Sequence, residues 1–171
     1  MEKKGQFYLV TIIIIISIFM GFITIVNSGK RVQTFDLKYL SDELNIEKRY
    51  ILDYVSYNSL SDIETGDIFL NFSKNYINKI GVEKDSLFIF GKQGSIKLFG
   101  NKIEETLISV YNGTEYLEIT ESGIIEKDYT FIDEFKIKIE ENEYIFKLEK
   151  GQNFYYLVHH IINSERYIIY G

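Results

Sequence analysis

Hydrophobic and polar positions divide this chain into three regimes. In the first, Phe7 to Val26, twenty residues carry no charge, and the only polar groups are the hydroxyls of Tyr8, Thr11, Ser17 and Thr24. At about 1.5 Å per residue such a run makes a helix roughly 30 Å long, the thickness of a bilayer's hydrocarbon core. Lipid offers the backbone no partner outside its own helix. The pattern therefore predicts a transmembrane helix over residues 6–28, with membrane lipid as the partner of Phe7 to Val26. Asn27-Ser28-Gly29 reads as a break after it.

The second regime has helical periodicity. Leu37, Leu40, Leu44, Ile51 and Val55 recur at spacings of three, four, seven and four, with Tyr39, Ile46, Tyr50 and Tyr54 as an adjoining stripe. This predicts an amphipathic helix from Thr34 to about Tyr57, capped by Thr34 and carrying Asp36 in its first turn. A second helix is expected from about Thr65 to Ile80, where Phe69, Phe72, Tyr76 and Ile80 share a face and Gly81 stands at the helix-ending position. Ser61 with Glu64 matches a capping box and offers an earlier start.

From Asp85 the period shortens to that of strands. Apolar runs at Leu87–Phe90, Ile96–Phe99, Leu107–Tyr111, Tyr116–Ile119 and Tyr129–Ile132 are separated by glycine-bearing turns. Phe135, Ile137 and Ile139 then alternate with Lys136, Lys138 and Glu140. A turn at Glu141-Asn142-Glu143 leads to Tyr144, Phe146 and Leu148, the signature of a half-buried hairpin. Phe154–Ile162 and Tyr167–Tyr170 follow. The fold class read from this is α+β: an amino-terminal transmembrane helix, two amphipathic helices, then an antiparallel β-sheet or sandwich. One domain is expected after the span, with its helical part over residues 29–82 and its β part over residues 83–171.

What precedes the apolar run adds to this picture. The chain opens Met1-Glu2-Lys3-Lys4-Gly5-Gln6, a short basic leader ending in glycine, then a polar residue, then the apolar segment. This resembles the amino terminus of archaeal type IV pilin-like precursors, in which a peptidase on the cytoplasmic side cuts after the small residue and leaves the hydrophobic helix on the mature protein. The resemblance implies a leader of residues 1–5 and a cut between Gly5 and Gln6. It also implies that copies of the chain, or other pilin-like subunits, are partners. Many such proteins carry glutamate at the fifth mature position, where this chain has Val10, and their helices often continue unbroken into the head domain.

Two other amino-terminal readings compete. A plain signal anchor needs only a positive flank and enough apolar residues. A cleaved secretory signal would place Val26 and Ser28 before a cut at Gly29, although the apolar run exceeds the roughly 7–15 residues usual for such signals. Lys30 and Arg31 nearly balance Lys3 and Lys4, so orientation rests on the leader resemblance: a single-pass cell-membrane protein with its carboxy-terminal domain extracytoplasmic.

Net charge is −6, and with Glu2, Lys3 and Lys4 giving residues 1–29 a charge of +1, residues 30–171 carry −7. Such a surface repels nucleic acid. The absence of cysteine excludes disulfides and thiolate metal sites. The 14 tyrosines and 13 phenylalanines suit strands, which is explanation enough for their number.

Candidate chemistry is sparse. His159 and His160 are adjacent, so in a strand they face opposite ways and cannot ligate one metal together. Glu140, Glu141 and Glu143 read as a solvated acidic turn. Glu104-Glu105, and Glu64 with Asp67, have no set separation that would make a glycosidase pair. Gly91-Lys92-Gln93-Gly94-Ser95 lacks the spacing of a phosphate loop and reads as a hairpin turn. No catalytic, cofactor or metal residue is assigned. Two glycosylation sequons remain: Asn112-Gly113-Thr114 at an exposed turn, and Asn71-Phe72-Ser73 within the second helix. The functional expectation is a membrane-anchored, non-enzymatic surface protein acting in assembly or adhesion. The alternative is a monomeric extracytoplasmic binding module tethered by a plain signal anchor.

Overall fold

The structure is a computed structural model. It describes the backbone of residues 3–103, 105–131, 133–162 and 165–171, and the side chains of these except 3–11, 21–36 and 162. Two compact units divide between Leu40 and Ser41.

Helix α1 runs Lys3–Asn58 without interruption and so enters both units. The expected break at Asn27-Ser28-Gly29 does not occur, and Thr34 is an interior residue of α1 instead of a cap. The reason is energetic. One glycine in a helix costs about 1 kcal/mol relative to alanine, and Asn and Ser cost less. Propagation from formed turns on either side is cooperative, and no proline is present to remove a hydrogen bond.

In the first unit, Ile12–Met20 are all exposed. These consecutive positions span more than two turns, so they cover every face of the helix. The Ser17 hydroxyl donates to the Ile13 carbonyl at 2.8 Å, which satisfies it within its own helix. Among the described residues no helix is long and apolar enough to cross a membrane. Of the uncharged run Phe7–Val26, the side chains of residues 7–11 and 21–26 lie outside the described residues.

The second unit begins with the remainder of α1, Ser41–Asn58, followed by α2, Asp62–Ile80. The helix starts at the capping box: Ser61 Oγ accepts from the Glu64 amide at 3.3 Å, and the Glu64 carboxylate accepts from the Ser61 amide at 3.0 Å. At the other end the Gly81 amide donates to the Ile77 carbonyl, with φ at 95°, a conformation that glycine adopts without a Cβ clash.

Among the described residues nine strands follow: β1 Asp85–Lys92, β2 Ser95–Lys102, β3 Ile108–Tyr111, β4 Tyr116–Glu118, β5 Gly123–Tyr129, β6 Glu134–Ile139, β7 Asn142–Lys147, β8 Asn153–Ile162 and β9 Glu165–Tyr170. They form two antiparallel sheets, a five-stranded one in the order β5-β2-β1-β8-β9 and a four-stranded one in the order β4-β3-β6-β7. One apolar core joins them. Leu87, Ile89, Leu98, Ile125 and Leu157 of the larger sheet meet Ile108, Val110, Phe135, Ile137, Ile139 and Phe146 of the smaller.

The larger sheet's other face carries Phe88, Phe90 and Phe154, which meet Phe69 and Phe72 of α2 at ring-centroid distances of 5.1 to 6.4 Å. The α1 segment covers Tyr156, whose hydroxyl lies 3.1 Å from Ser41 Oγ. The unit is thus three layers: helices, five-stranded sheet, four-stranded sheet. This explains the sequence pattern, because β1 is buried on both faces and reads as a continuous apolar run, while β6 has a solvated face and alternates.

Three further expectations change. The stripe of Tyr39, Ile46, Tyr50 and Tyr54 is exposed, whereas Leu44 and Val55 are buried and Ile51 and Leu52 half-buried. Of the run Tyr129–Ile132, Tyr129 ends β5, which begins at Gly123, Thr130 and Phe131 lie beyond the strand, and Ile132 is outside the described residues. The β6–β7 turn is Glu140-Glu141, flanked by the pair Ile139 and Asn142, and Glu140 takes φ of 54°.

The register gives a direct test. Phe146 is 3% exposed while Ile145, on the opposite face of β7, is 48% exposed. Phe146→Asp should unfold the second unit, because it buries a carboxylate without a partner. Ile145→Asp should cost about 1 kcal/mol or less, the span of strand propensity. Urea denaturation followed by circular dichroism distinguishes them, and a greater loss from Ile145→Asp than from Phe146→Asp would mean that the faces are inverted.

Candidate functional site

Three places in the second unit gather polar or aromatic side chains. The most buried lies where β1 begins. Asp85 and His159 face the inter-sheet core from paired positions of β1 and β8, and both are almost wholly buried. Asp85 Oδ1 accepts from the Ile103 amide at 2.6 Å, and Oδ2 accepts from Thr106 Oγ1 at 2.6 Å. His159 Nδ1 lies 2.8 Å from Oδ2. A carboxylate holding one imidazole nitrogen is how a general base is oriented. Here the other nitrogen, Nε2, is buried with no hydrogen-bond partner among the described residues, and so meets no hydroxyl among them to activate. The arrangement ties the β2–β3 crossover to the larger sheet. No sequence signal marks it, since Asp85 meets partners 21 and 74 residues away.

The second place is a cleft of about 160 Å³ between the start of α2 and the β1–β2 hairpin, lined by Asp62, Gly66, Phe90, Lys92, Lys97, Asp128 and Gln152 among others. Its charges neutralise one another. Lys92 pairs with Asp62, and Lys97 pairs with Glu126 at 2.7 Å and Asp128 at 3.3 Å. Those carboxylates, Glu126 first, hold the Lys97 amine above its ordinary range. Ligand clefts usually measure about 300–1,000 Å³, so this one admits only a small group. Gly91-Lys92-Gln93-Gly94-Ser95 forms the hairpin beside it, with Gln93 Nε2 donating to the Leu148 carbonyl and the Gly94 amide to that of Phe131.

The third place is the outer face of the smaller sheet. Tyr111 and Tyr116 pair across β3 and β4 with centroids 5.2 Å apart. Lys136 lies 5.6 Å from the Tyr111 ring and Lys138 5.9 Å from that of Tyr116. Tyr116 donates to Glu143, and burial together with that carboxylate pushes the phenol up to about 12.

The remaining sequence candidates are dispersed. His160 lies on the face of β8 opposite to His159, and burial, then Lys84, pushes its imidazole below the ordinary value. Among the described residues no three His, Asp or Glu side chains are grouped to hold a metal ion. Glu105 is exposed, and Glu104 lies outside the described residues. Glu64 is committed to the cap of α2. Glu140 pairs with Arg166 and Glu143 with Tyr116. Gly5 and Gln6 lie in α1, with side chains outside the described residues.

The two sequons differ in geometry. Asn112 is exposed at the β3–β4 turn, where its Oδ1 accepts from the Thr114 and Glu115 amides at 2.9 Å each and Gly113 takes φ of 101°. Asn71 is exposed on α2, but its sequon's hydroxyl, on the fully buried Ser73, donates to the Phe69 carbonyl at 2.7 Å.

Two outcomes follow. Asp85→Ala should destabilise the second unit by about 3–5 kcal/mol, since it removes the partner of the buried Thr106 hydroxyl and His159 imidazole and of the half-buried Ile103 amide, and should lower the urea midpoint at unchanged slope. In a glycosylating host, intact-mass spectrometry should find any glycan at Asn112, abolished by Asn112→Gln, with Asn71 bare. Comparison of the chain with protein-family models, with curated proteins and with solved structures gives no match.

Proposed function

We propose that this is a membrane-anchored, non-enzymatic cell-surface protein resembling an archaeal pilin-like subunit, which acts in surface assembly or adhesion. The observation that carries the reading is the pairing of a twenty-residue uncharged run with an unbroken helix, Lys3–Asn58, that continues into the second unit. Two features support it. The described part of that run is exposed on every face of the helix, so the chain leaves about 50% or more of each of these apolar side chains for an outside medium. Ser17 satisfies its hydroxyl on its own backbone, which suits either lipid or a dry helical bundle. The continuity of α1 past Asn27-Ser28-Gly29 also removes one of the chain's departures from the pilin-like pattern; Val10 at the fifth mature position remains.

A second reading, a tethered binding module, is favoured by the outer face of the smaller sheet. There Tyr111 and Tyr116 form an aromatic surface set among Lys136, Lys138, Glu134 and Glu143, of a kind that binds sugars or peptides.

Processing separates the two. For a pilin-like subunit the mature protein from its native cell should begin at Gln6, and a bulky residue at Gly5 should block leader removal and eliminate the protein from sheared extracellular polymer. Amino-terminal peptide mapping reads the first and filament fractionation the second. A mature start at Met1, with only detergent-extracted monomer, would leave the tethered module.

A further inference from the structure

An unpaired sheet edge is a template for another strand, and proteins blunt such edges by shortening or charging them. Three of the four edges here are blunted. β4 has three residues, β5 presents Glu126-Lys127-Asp128, and in β7 Glu143 and Lys147 bracket the uncharged Tyr144-Ile145-Phe146. The fourth, β9, is different. Past Glu165 and Arg166 it runs Tyr167-Ile168-Ile169-Tyr170 without charge; the first three are half-exposed and Tyr170 is 58% exposed. Among the described residues its strand neighbour is β8 alone.

We propose that β9 pairs antiparallel with β9 of a second copy of this chain, continuing the five-stranded sheet across a two-fold axis. Self-complementarity selects that occupant. A register centred on Ile168 sets Tyr167 opposite the other copy's Ile169, an aromatic and β-branched pair. It also sets Arg166, which pairs with Glu140 within its own copy, opposite Tyr170, a cation and an aromatic ring. No like charges meet, although Arg166 lies at the strand's end. The contact is isologous and closes at two copies, so it is distinct from any association made by α1. Each copy carries −7 over residues 30–171, so salt should strengthen the contact by screening the mutual repulsion.

The chain has no cysteine, so an introduced one is the sole thiol. In full-length protein in membranes, Ile168→Cys should form a disulfide-linked dimer on mild oxidation, whereas Ile124→Cys on β5 should not. Adding Tyr167→Lys, with the melting transition retained, should reduce cross-linking at least tenfold. Independently of any variant, the amides of Ile168 and Tyr170, which alternate with the positions bonded to β8 and so face the open edge, should exchange with solvent more slowly in the unmodified chain as protein concentration rises. Equal cross-linking from β5 and β9, cross-linking undiminished by Tyr167→Lys, or exchange independent of concentration would each overturn the proposal.

Discussion

The five-stranded sheet is apolar on both faces, and the rest of the second unit exists to cover it. Leu87 and Ile89 point to one side while Phe88 and Phe90 point to the other, and all four are at most 2% exposed. A fully buried side chain of this size contributes about 1.5–3 kcal/mol relative to leaving it in water. Leaving either face bare would forfeit several such contributions. The helices cover one face and the four-stranded sheet the other. To supply that second cover, the chain must leave the larger sheet after β2, return for β5, leave again for β6 and β7, and return for β8. The order of strands is a consequence of two faces needing two covers.

Much of this could be read from the chain. Period and run length located most strands and marked the β6–β7 hairpin as half-buried. What escaped has physical reasons. β5 is an edge strand whose charges sit on it as ion-pair partners of Lys97 and as blunting groups, so its centre does not look apolar. The adjoining stripe on α1 has the right spacing for burial, yet a helix over a sheet buries only one side, and Leu44 and Val55 occupy it. The break expected at Asn27-Ser28-Gly29 was argued from local propensity, which a long cooperative helix overrides. The Asp85 cluster was invisible because polar partners distant in sequence carry no periodicity.

Around the helices, close approach is as important as apolar area. A Cβ built on Gly171 would lie 2.7 Å from Asn45 Oδ1 and 2.8 Å from the Tyr156 hydroxyl, closer than real Cβ contacts come. Gly171 is also bonded to Tyr156 through both its amide and its carbonyl. The α1 segment therefore sits on β8 through a small residue, a hydroxyl pair with Ser41, and Lys48 over the Tyr155 ring at 4.9 Å. Fewer apolar groups are used there than under α2, where five phenylalanines interlock.

This contrast explains why a polar cluster belongs in the core. Apolar contact is non-directional: sliding β8 by two residues against β1 keeps every side chain on its face and preserves most of the burial. The same slip carries His159 away from Asp85. The carboxylate would then keep only the Ile103 and Thr106 donors in a site sealed from water, and breaking a buried pair of this kind costs several kilocalories per mole. Directional bonds thereby distinguish registers that hydrophobic packing leaves nearly equal. Because Ile103 and Thr106 belong to the crossover into the smaller sheet, the same bonds that fix β8 against β1 also fix where the second sheet begins.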